Sequence, residues 1–262
     1  FIIRFRGQKG DKNMTDKIKV GLIFGGNSSE YEVSIMSAHN IYEEIDTNKF
    51  DVYPMWITND GYLADDADSR KVLDNPKMEV ANPHKVANIS NIIELKDRPE
   101  IDVFFPIVHG NLGEDGCLQG LFRVLDKPFV GDDVLAAAVT MDKEMTKILA
   151  QRAGVPVAKW IAVKRFEYND PDNEKLDYEY VASQLGSDLF VKPSNQGSSV
   201  GVSHVTNEKE YKVALAEAFK YDDKVLVEET VHGTEVETAV LGNDKPIVAG
   251  VGQIINAKDS FY

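Results

Sequence analysis

Two short, nearly uninterrupted runs of apolar residues, each ended by glycine, constrain the fold of this chain more than any other feature. The first is "IKVGLIF", residues 18–24, which runs into Gly25 and Gly26, and the second is "IDVFFPIVHG", residues 101–110. Strands that are apolar on both faces are typical of a parallel sheet with helices packed on each side. These runs therefore predict two buried strands of such a sheet.

Helical and strand patterns alternate around these runs. Residues 27–45 carry apolar side chains at the spacing of one helix face, and Ser29 with Glu32 three residues later predicts a capping box. "DVYPMWIT", residues 51–58, predicts another strand, and residues 65–98 are polar and irregular, which predicts a stretch that includes a surface loop. This alternation predicts a Rossmann-like α/β domain.

The pattern changes near Gly131. Residues 131–157 are rich in helix-forming residues and predict one long helix that ends at Gly154 and Pro156. Six strand-like segments then surround one helical segment, "NEKEYKVALAEAF". This second half of the chain is therefore predicted to be α+β, with antiparallel pairing.

The charge balance limits the class of partner. The 262 residues include 29 Lys and Arg against 43 Asp and Glu, a formal charge of −14. Such an excess argues against nucleic acid or an anionic membrane as partner, so a bound phosphate must be held by local lysines and backbone N–H groups. One cysteine, Cys117, excludes an intrachain disulfide and suits a reducing compartment. No apolar run approaches the length of a membrane span.

A glycine- and serine-rich loop follows a predicted strand in "LFVKPSNQGSSVGV", residues 189–202. Gly197 and Gly201 give the backbone freedom to point N–H groups at an anion, and Lys192 at the base of the loop supplies a charge suited to phosphate. Hydroxyl donors come from Ser194, Ser198 and Ser199. The alternative is a mobile surface loop beside a chance lysine.

Charged residues elsewhere admit two interpretations. Lys143, early in the predicted long helix, is either a phosphate contact or a solvated lysine. Glu228, Glu229 and Glu235 surround the end of a strand, where carboxylates can accept hydrogen bonds from a nucleotide. In so acidic a chain they can equally be exposed surface groups.

The stretch "HGNLGEDGCLQG", residues 109–120, is the most specific. It follows the third strand, at the sheet edge where α/β proteins bind ligands, and His109 is there a proton carrier, a charge contact or a satisfied structural histidine. Glu30 is expected at the same edge, either as a partner for a substrate ammonium or as an acid favoured by the helix dipole.

Four motifs in order, "GGNSSEYEVS", "HGNLGEDGCLQG", "AVTMDKEMTK" and "FVKPSNQGSSVGV", resemble those of D-alanine–D-alanine ligases, members of the ATP-grasp superfamily. The resemblance runs from about residue 17 to the end of the chain. For the substrate it implies that Glu30 binds the ammonium of the first D-alanine, that Ser198 is hydrogen-bonded to Glu30, and that His109 lies by the substrate carboxylate or the reacting groups.

For the nucleotide, the resemblance implies contacts of Lys143 and Lys192 with ATP phosphates, under a loop that carries Ser199. It also implies that Glu228 and the Val231 backbone meet adenine, and that Glu235 meets the ribose. ATP would phosphorylate the first D-alanine, and the amine of a second D-alanine would attack the acyl phosphate. The Mg²⁺ ligands would lie beyond residue 262, so the chain reads as an N-terminal portion, inactive as it stands.

The resemblance also implies a domain order and a setting. We expect an upstream segment at 1–13, a Rossmann-like substrate domain at 14–131, a small ATP-grasp domain at 132–228 and the start of a catalytic ATP-grasp domain at 229–262. A cytoplasmic enzyme of cell-wall precursor synthesis is implied, homodimeric at full length. A sister ligase that joins D-alanine to D-lactate or D-serine, and an inactive nucleotide-binding fragment, remain the alternatives.

Overall fold

The computed structural model describes residues 17–88, 101–170, 173 and 176–255, with the backbone alone at 87 and 88. These residues divide between positions 139 and 140 into two compact units. The predicted upstream segment 1–13 and the last seven residues, "NAKDSFY", lie outside the described residues. The predicted domain boundaries stay predictions.

The first unit contains a mixed five-stranded sheet in the order β4-β3-β2-β1-β5. Strand β1 pairs in parallel with β2 and β5. Strand β3 pairs antiparallel with β2, and β4 pairs antiparallel with β3 at the edge of the sheet. The elements are β1 Ile18–Gly25, α1 Tyr31–Glu44, β2 Phe50–Ile57, β3 Tyr62–Ala64, α2 Asp66–Asp74, β4 Lys85–Asn88, β5 Val103–Pro106, α3 Cys117–Val124 and α4 Val134–Met141, the last of which crosses the division.

Strand β1 is buried on both faces, which is why its sequence is apolar without alternation. Leu22 and Phe24 pack in one cluster with Ile35 of α1, and Ile23 packs on the other face in a cluster that includes Phe122 of α3. Each such side chain contributes about 1.5–3 kcal/mol when fully buried. The predicted parallel sheet with helices on both faces is confirmed.

The second unit contains a four-stranded antiparallel sheet in the order β6-β9-β7-β8 and a separate antiparallel pair, β10 and β11. Its elements are α5 Lys143–Arg152, β6 Trp160–Lys164, α6 Arg165–Tyr168, α7 Tyr178–Leu185, β7 Leu189–Pro193, β8 Ser203–Val205, α8 Glu208–Ala218, β9 Lys224–Glu229, β10 Val236–Leu241 and β11 Ile247–Gln253. The four-stranded sheet and α8 enclose a core that includes Val191, Val227 and Tyr211. The predicted antiparallel α+β arrangement is confirmed, with α6 and α7 as helices that the sequence patterns missed.

Three local predictions are wrong. The helix predicted over 131–157 is two helices, because Asp142 has an extended backbone and its side chain caps α5 by accepting from the N–H groups of Glu144 and Met145. The predicted capping box of Ser29 and Glu32 is absent. Helix α1 instead begins after Glu30, whose side chain makes no capping bond.

The third prediction, an irregular stretch that includes a surface loop at 65–98, is wrong for two of its segments, whereas residues 75–84 form neither helix nor strand, as predicted. Residues 66–74 form α2, capped by the Asp65 carboxylate, which accepts from the N–H of Asp68. Residues 85–88 form β4. The remaining residues of that prediction, 89–98, lie outside the described part of the chain. Capping by a polar side chain explains why a polar stretch is helical here.

Gly25 ends β1 in a conformation that no other residue fits. Its φ is +88°, and a Cβ atom there would lie 2.1 Å from the carbonyl oxygen of Ile57. That carbonyl also accepts a hydrogen bond from the N–H of Gly26 at 2.9 Å. The chain can therefore leave the sheet edge only because this position lacks a side chain.

We predict that Gly25→Ala lowers the free energy of unfolding far more than Gly61→Ala. Gly61 is a matched control, because its φ is +83° but a Cβ there would meet nothing within 4 Å. The control carries only the backbone strain, about 1–2 kcal/mol, and Gly25→Ala adds a backbone collision that raises the loss to about 4 kcal/mol or more. Urea unfolding followed by circular dichroism measures both, and equal losses would contradict the steric account.

Candidate functional site

The second unit pairs two lysines with one buried carboxylate, and the charge of a third lysine, Lys143, interacts with both Glu228 and Lys192. Glu228 lies on β9 between β6 and β7, paired with Trp160 on one side and Phe190 on the other. Its residue is only 6% exposed. The Nζ of Lys147 lies 3.1 Å from Glu228 Oε1, and the Nζ of Lys192 lies 2.5 Å from Oε2. Each carboxylate oxygen therefore has its own ammonium partner.

The third lysine, Lys143, is the first residue of α5. Its backbone N–H donates to the carbonyl of Ser194 at 3.1 Å, and its Nζ donates to the carbonyl of Gln196. Both carbonyls belong to the glycine- and serine-rich loop between β7 and β8, residues 194–202, called the glycine loop below. Burial lowers the pKa of Lys143, and the positive charge of Lys192 lowers it further, while the charges of Glu228, Asp222 and Asp142 act in the opposite direction. A buried ammonium whose pKa is lowered in this way gains from an added anion.

The glycine loop has an anchored base and a strained tip. The backbone N–H and side-chain amide of Asn195 both donate to Asp222 Oδ2, at 2.7 and 2.9 Å. At the tip, Ser198 and Ser199 have φ values of +46° and +58°. Non-glycine residues adopt such angles at some cost, and strain of this kind is concentrated at ligand-binding segments.

Two predicted nucleotide contacts lie beyond β9. Val231 is 70% exposed, and Glu235 is exposed in the segment between β9 and β10, where its carbonyl accepts from the N–H of Ile254 at 3.0 Å.

The lysine cluster consists of Lys143, Lys147, Lys192 and Glu228. Of the predicted residues, the structure brings Lys143, Lys192 and Glu228 together there.

Lys147 was not predicted from the sequence. Its side chain is 13% exposed, its Nζ donates to the carbonyl of Ala158 at 3.1 Å, and it lies 5.5 Å from the centre of the Trp160 ring. The available signal was spacing, because residues 143 and 147 share one face of a helix. The predicted helix over 131–157 already contained this spacing, but lysines four residues apart are also common on solvated helix faces.

In the first unit, Glu30 and the segment after β5 meet at the carboxyl edge of the parallel strands. The hydroxyl of Ser28 accepts from the N–H of Glu30 at 3.2 Å and donates to the carbonyl of His109 at 2.8 Å. Glu30 is 9% exposed. A Cβ at Gly110, whose φ is +74°, would lie 2.7 Å from Glu30 Oε2. The positive φ favours glycine at position 110, and the absence of a side chain there leaves room for the Glu30 carboxylate.

His109 is held from both ring nitrogens. Its Nε2 lies 3.1 Å from Ser37 Oγ and its Nδ1 lies 3.2 Å from Glu114 Oε1. The hydrogen bond to Glu114 raises the pKa of His109, although burial acts the other way, and the charge of Glu30 also raises it. Burial alone would raise the pKa of Glu114, but the hydrogen bonds from His109 and the Gly110 N–H lower it overall.

Glu114 also was missed as an individual residue. It lies within the stretch 109–120, five residues after His109, but the glycines drew the functional interpretation. The chain turns back at Gly110, so that Glu114 reaches both the histidine ring and the N–H of residue 110, the latter at 2.9 Å. The predicted hydrogen bond between Ser198 and Glu30 joins residues of the two units and stays a prediction.

Two absences apply to the described residues only. Among them no group of three or more His, Cys, Asp or Glu side chains is arranged to hold a metal ion. Within the same ranges no helix is long and apolar enough to cross a membrane.

Family models match both halves of the chain. The model for the D-ala D-ala ligase N-terminus matches residues 19–132, and that for the D-ala D-ala ligase C-terminus matches residues 149–262. A D-alanine–D-alanine ligase of Lactobacillus gasseri is 99% identical over 249 residues, which cover 95% of this chain and 69% of that protein. One of Lactobacillus acidophilus is 78% identical with the same coverage.

Solved structures are similar as well. The VanG D-Ala:D-Ser ligase from Enterococcus faecalis has a TM-score of 0.72 and 35% identity, covering 91% of this chain and 70% of that one. The D-alanine–D-alanine ligase from Coxiella burnetii has a TM-score of 0.73 and 34% identity, covering 91% and 71%.

The chain has a mixed sheet that contains parallel strands, followed by antiparallel sheets, and it shares this fold with these neighbours. The fold places the chain in the ATP-grasp class of enzymes. More narrowly, the chain belongs to the D-alanine–D-alanine ligase family, whose members are ATP-dependent ligases of peptidoglycan precursor synthesis.

We predict that Glu114→Gln lowers the pKa of His109, because the partner that raises it loses its charge while burial remains. The histidine contributes stability below its ordinary pKa of 6.5 and loses it as the pH rises through the raised value. The glutamate contributes above its ordinary 4.5 and loses it as the pH falls through the lowered value. Both contributions are fully present between pH 4.5 and pH 6.5, so the loss of stability in the variant should be largest in that range.

The loss should be about 1 kcal/mol or less, because the pair is partly exposed. NMR titration of the His109 ring and urea unfolding at pH 5.5 and pH 9 measure the two effects. An unchanged histidine pKa, or a stability loss that is the same at both pH values, would show that the pair is not ionic.

Proposed function

We propose that the chain binds ATP at the lysine cluster and D-alanine at the Glu30–His109 edge, for a ligase that joins two D-alanines. A phosphoryl group passes from ATP to the carboxylate oxygen of the first D-alanine, giving ADP and an acyl phosphate. The amine of the second D-alanine then forms the peptide bond, and inorganic phosphate and a proton leave.

The observation that carries the proposal is the charge of the lysine cluster. Lys147 and Lys192 share the single Glu228 carboxylate, and the Lys143 ammonium donates to a neutral loop carbonyl while the charges of Glu228, Asp222 and Asp142 act on it. Lysines are rarely buried without direct anionic partners. A triphosphate would give Lys143 and Lys192 such partners, and phosphoryl transfer requires mainly such neutralisation and positioning.

Each nucleotide-binding residue has a role that its position supports. Lys143 and Lys192 hold phosphate oxygens, and Ser199 contacts them from the tip of the loop. The Glu228 carboxylate keeps a lone pair on each oxygen beside its lysine partners, so it can accept from the amino group of adenine. The backbone of Val231 meets the adenine ring edge and Glu235 the ribose hydroxyls, from the exposed segment that follows β9.

In the first unit, Glu30 pairs with the ammonium of the first D-alanine, with Ser198 as its hydrogen-bond partner. The hydrogen bond to Glu114 favours the cationic form of His109, and that form attracts the substrate carboxylate or the charge that develops on it. Loop closure keeps water from the acyl phosphate. Mg²⁺, which ATP-dependent ligases generally use, would neutralise charge on the phosphates. Among the described residues no group of three or more His, Cys, Asp or Glu side chains is arranged to hold it.

The choice of acceptor follows the relatives. The 99% identical protein is named a D-alanine–D-alanine ligase, whereas the D-Ala:D-Ser ligase is 35% identical. We therefore propose D-alanine over D-serine or D-lactate as acceptor. We further propose a cytoplasmic enzyme, since ATP is its substrate and its one cysteine suits a reducing compartment, and a homodimer, as the family resemblance implies.

Lys192→Met should reduce kcat/KM for ATP by about 100-fold or more, the scale of losing one preorganised charge contact. The substitution is made in the 99% identical Lactobacillus gasseri ligase at the matching residue, and phosphate release is measured. Lys212→Met is the control, because Lys212 is 70% exposed and, within the described residues, its ion pair is with Glu208 on its own helix. Activity within a few-fold of wild type for Lys192→Met would refute the phosphate assignment.

Glu30→Gln should raise the KM for D-alanine by about tenfold or more, equivalent to 1.4 kcal/mol, and leave the KM for ATP within about twofold. It removes the charge facing the substrate ammonium and keeps the shape of the side chain. The two KM values are measured in the same ligase. A parallel rise in both, together with a lower melting temperature, would assign Glu30 to stability instead of binding.

A further inference from the structure

Lys143 is flanked in sequence by two acids, and both are held by one distant lysine. The Nζ of Lys224 lies 2.9 and 2.7 Å from the two carboxylate oxygens of Asp142, and 2.9 Å from Glu144 Oε2. All three side chains are 17–20% exposed. At 142–144 the two carboxylates therefore bind Lys224, and the Lys143 ammonium is directed at the glycine loop.

Backbone bonds connect these groups to the end of β7. The hydroxyl of Ser194 donates to Asp142 Oδ1 at 2.9 Å, and its N–H donates to the carbonyl of Lys224 at 2.9 Å. The carbonyl of Ser194 accepts from the N–H of Lys143 at 3.1 Å. Asp142 is also the residue that caps α5. A closed set of bonds therefore joins the start of α5, the end of β7 and the start of β9.

This set is tightly coupled by charge. Burial alone would raise the pKa of Asp142, but the hydrogen bonds from Lys224, the Met145 N–H and Ser194 lower it overall. Burial alone would lower the pKa of Lys224, but its bonds to Asp142 and Glu144 raise it. Both groups therefore remain ionised across the neutral range, and their positions are fixed by paired charges.

We propose that Lys224 is a positioning residue that fixes Lys143 and the base of the glycine loop for phosphate binding. The inference rests on the proposed role of Lys143 in holding phosphates. Lys224 acts through Lys143, since its own ammonium is committed to two carboxylates.

A merely structural lysine and a positioning lysine differ in what they do to ligands with and without phosphate. Loss of a structural contact weakens the binding of ATP and of adenosine alike. Loss of a positioning contact weakens only the ligand that uses Lys143. The affinities of the chain for ATP and for adenosine, measured by isothermal titration calorimetry, therefore separate the two.

The variants are Lys224→Met, Lys224→Arg, Glu144→Gln and Lys143→Met, with Lys212→Met as surface control. We expect Lys224→Met to raise the Kd for ATP about tenfold, or 1.4 kcal/mol, and to leave that for adenosine within about twofold. Lys224→Arg should restore most of the ATP affinity, because a guanidinium can bridge both carboxylates. Glu144→Gln should raise the Kd for ATP about threefold, with less disturbance of the fold than Lys224→Met.

Combination with Lys143→Met completes the test. In that background Lys224→Met should add little further loss in ATP affinity, because the residue through which it acts is gone. If Lys143→Met itself leaves ATP binding unchanged, the proposed function fails. If Lys143→Met weakens ATP binding but Lys224→Met weakens ATP and adenosine equally, or neither, the positioning role is overturned. If Lys224→Met does not fold, Glu144→Gln decides, and an unchanged ATP affinity there overturns it.

Discussion

The paired charges of the buried Glu228 carboxylate and two lysines are the interaction on which the second unit depends. A carboxylate with 7% side-chain exposure is tolerated only with partners, and here Lys147 and Lys192 each take one oxygen. Removal of one partner of a buried ion pair costs about 3–5 kcal/mol. Substitutions that leave the Glu228 charge unpaired are therefore expected to lower the stability of this unit. The position follows from the sheet, because β9 lies between β6 and β7 and therefore between the strands that carry Trp160 and Lys192.

The same physical rule organises the first unit on a smaller scale. Glu30 is nearly buried, and its carboxylate lies close to Gly110, whose positive φ favours glycine. His109 is fixed by an acid five residues away and by Ser37 of α1. Charged groups in both units are thus placed by their neighbours before any substrate arrives, and preorganisation of this kind is what electrostatic catalysis requires.

Much of this arrangement could be predicted from the sequence, and the failures have physical reasons. Apolar runs fix strands that are buried on both faces, so the strands around 18–24 and 101–110 were predicted, the latter shorter in the structure at Val103–Pro106. The break at Asp142 was missed because helix-forming residues flank it on both sides, and its role as a cap depends on local backbone geometry. Lys147 and Glu114 look like ordinary surface residues in sequence, and only contacts to Glu228 and His109 distinguish them.

A structure of the protein with a non-hydrolysable ATP analogue tests the central claim most directly. The account predicts phosphate oxygens within hydrogen-bond distance of the Nζ atoms of Lys143 and Lys192, with the Glu228 carboxylate beside the adenine amino group and Lys147 still in contact with Glu228. A nucleotide bound elsewhere, with Lys192 unchanged on Glu228 and Lys143 unchanged on the loop carbonyl, would contradict it. That result would make the lysine cluster a structural feature of the sheet instead of a site for phosphate.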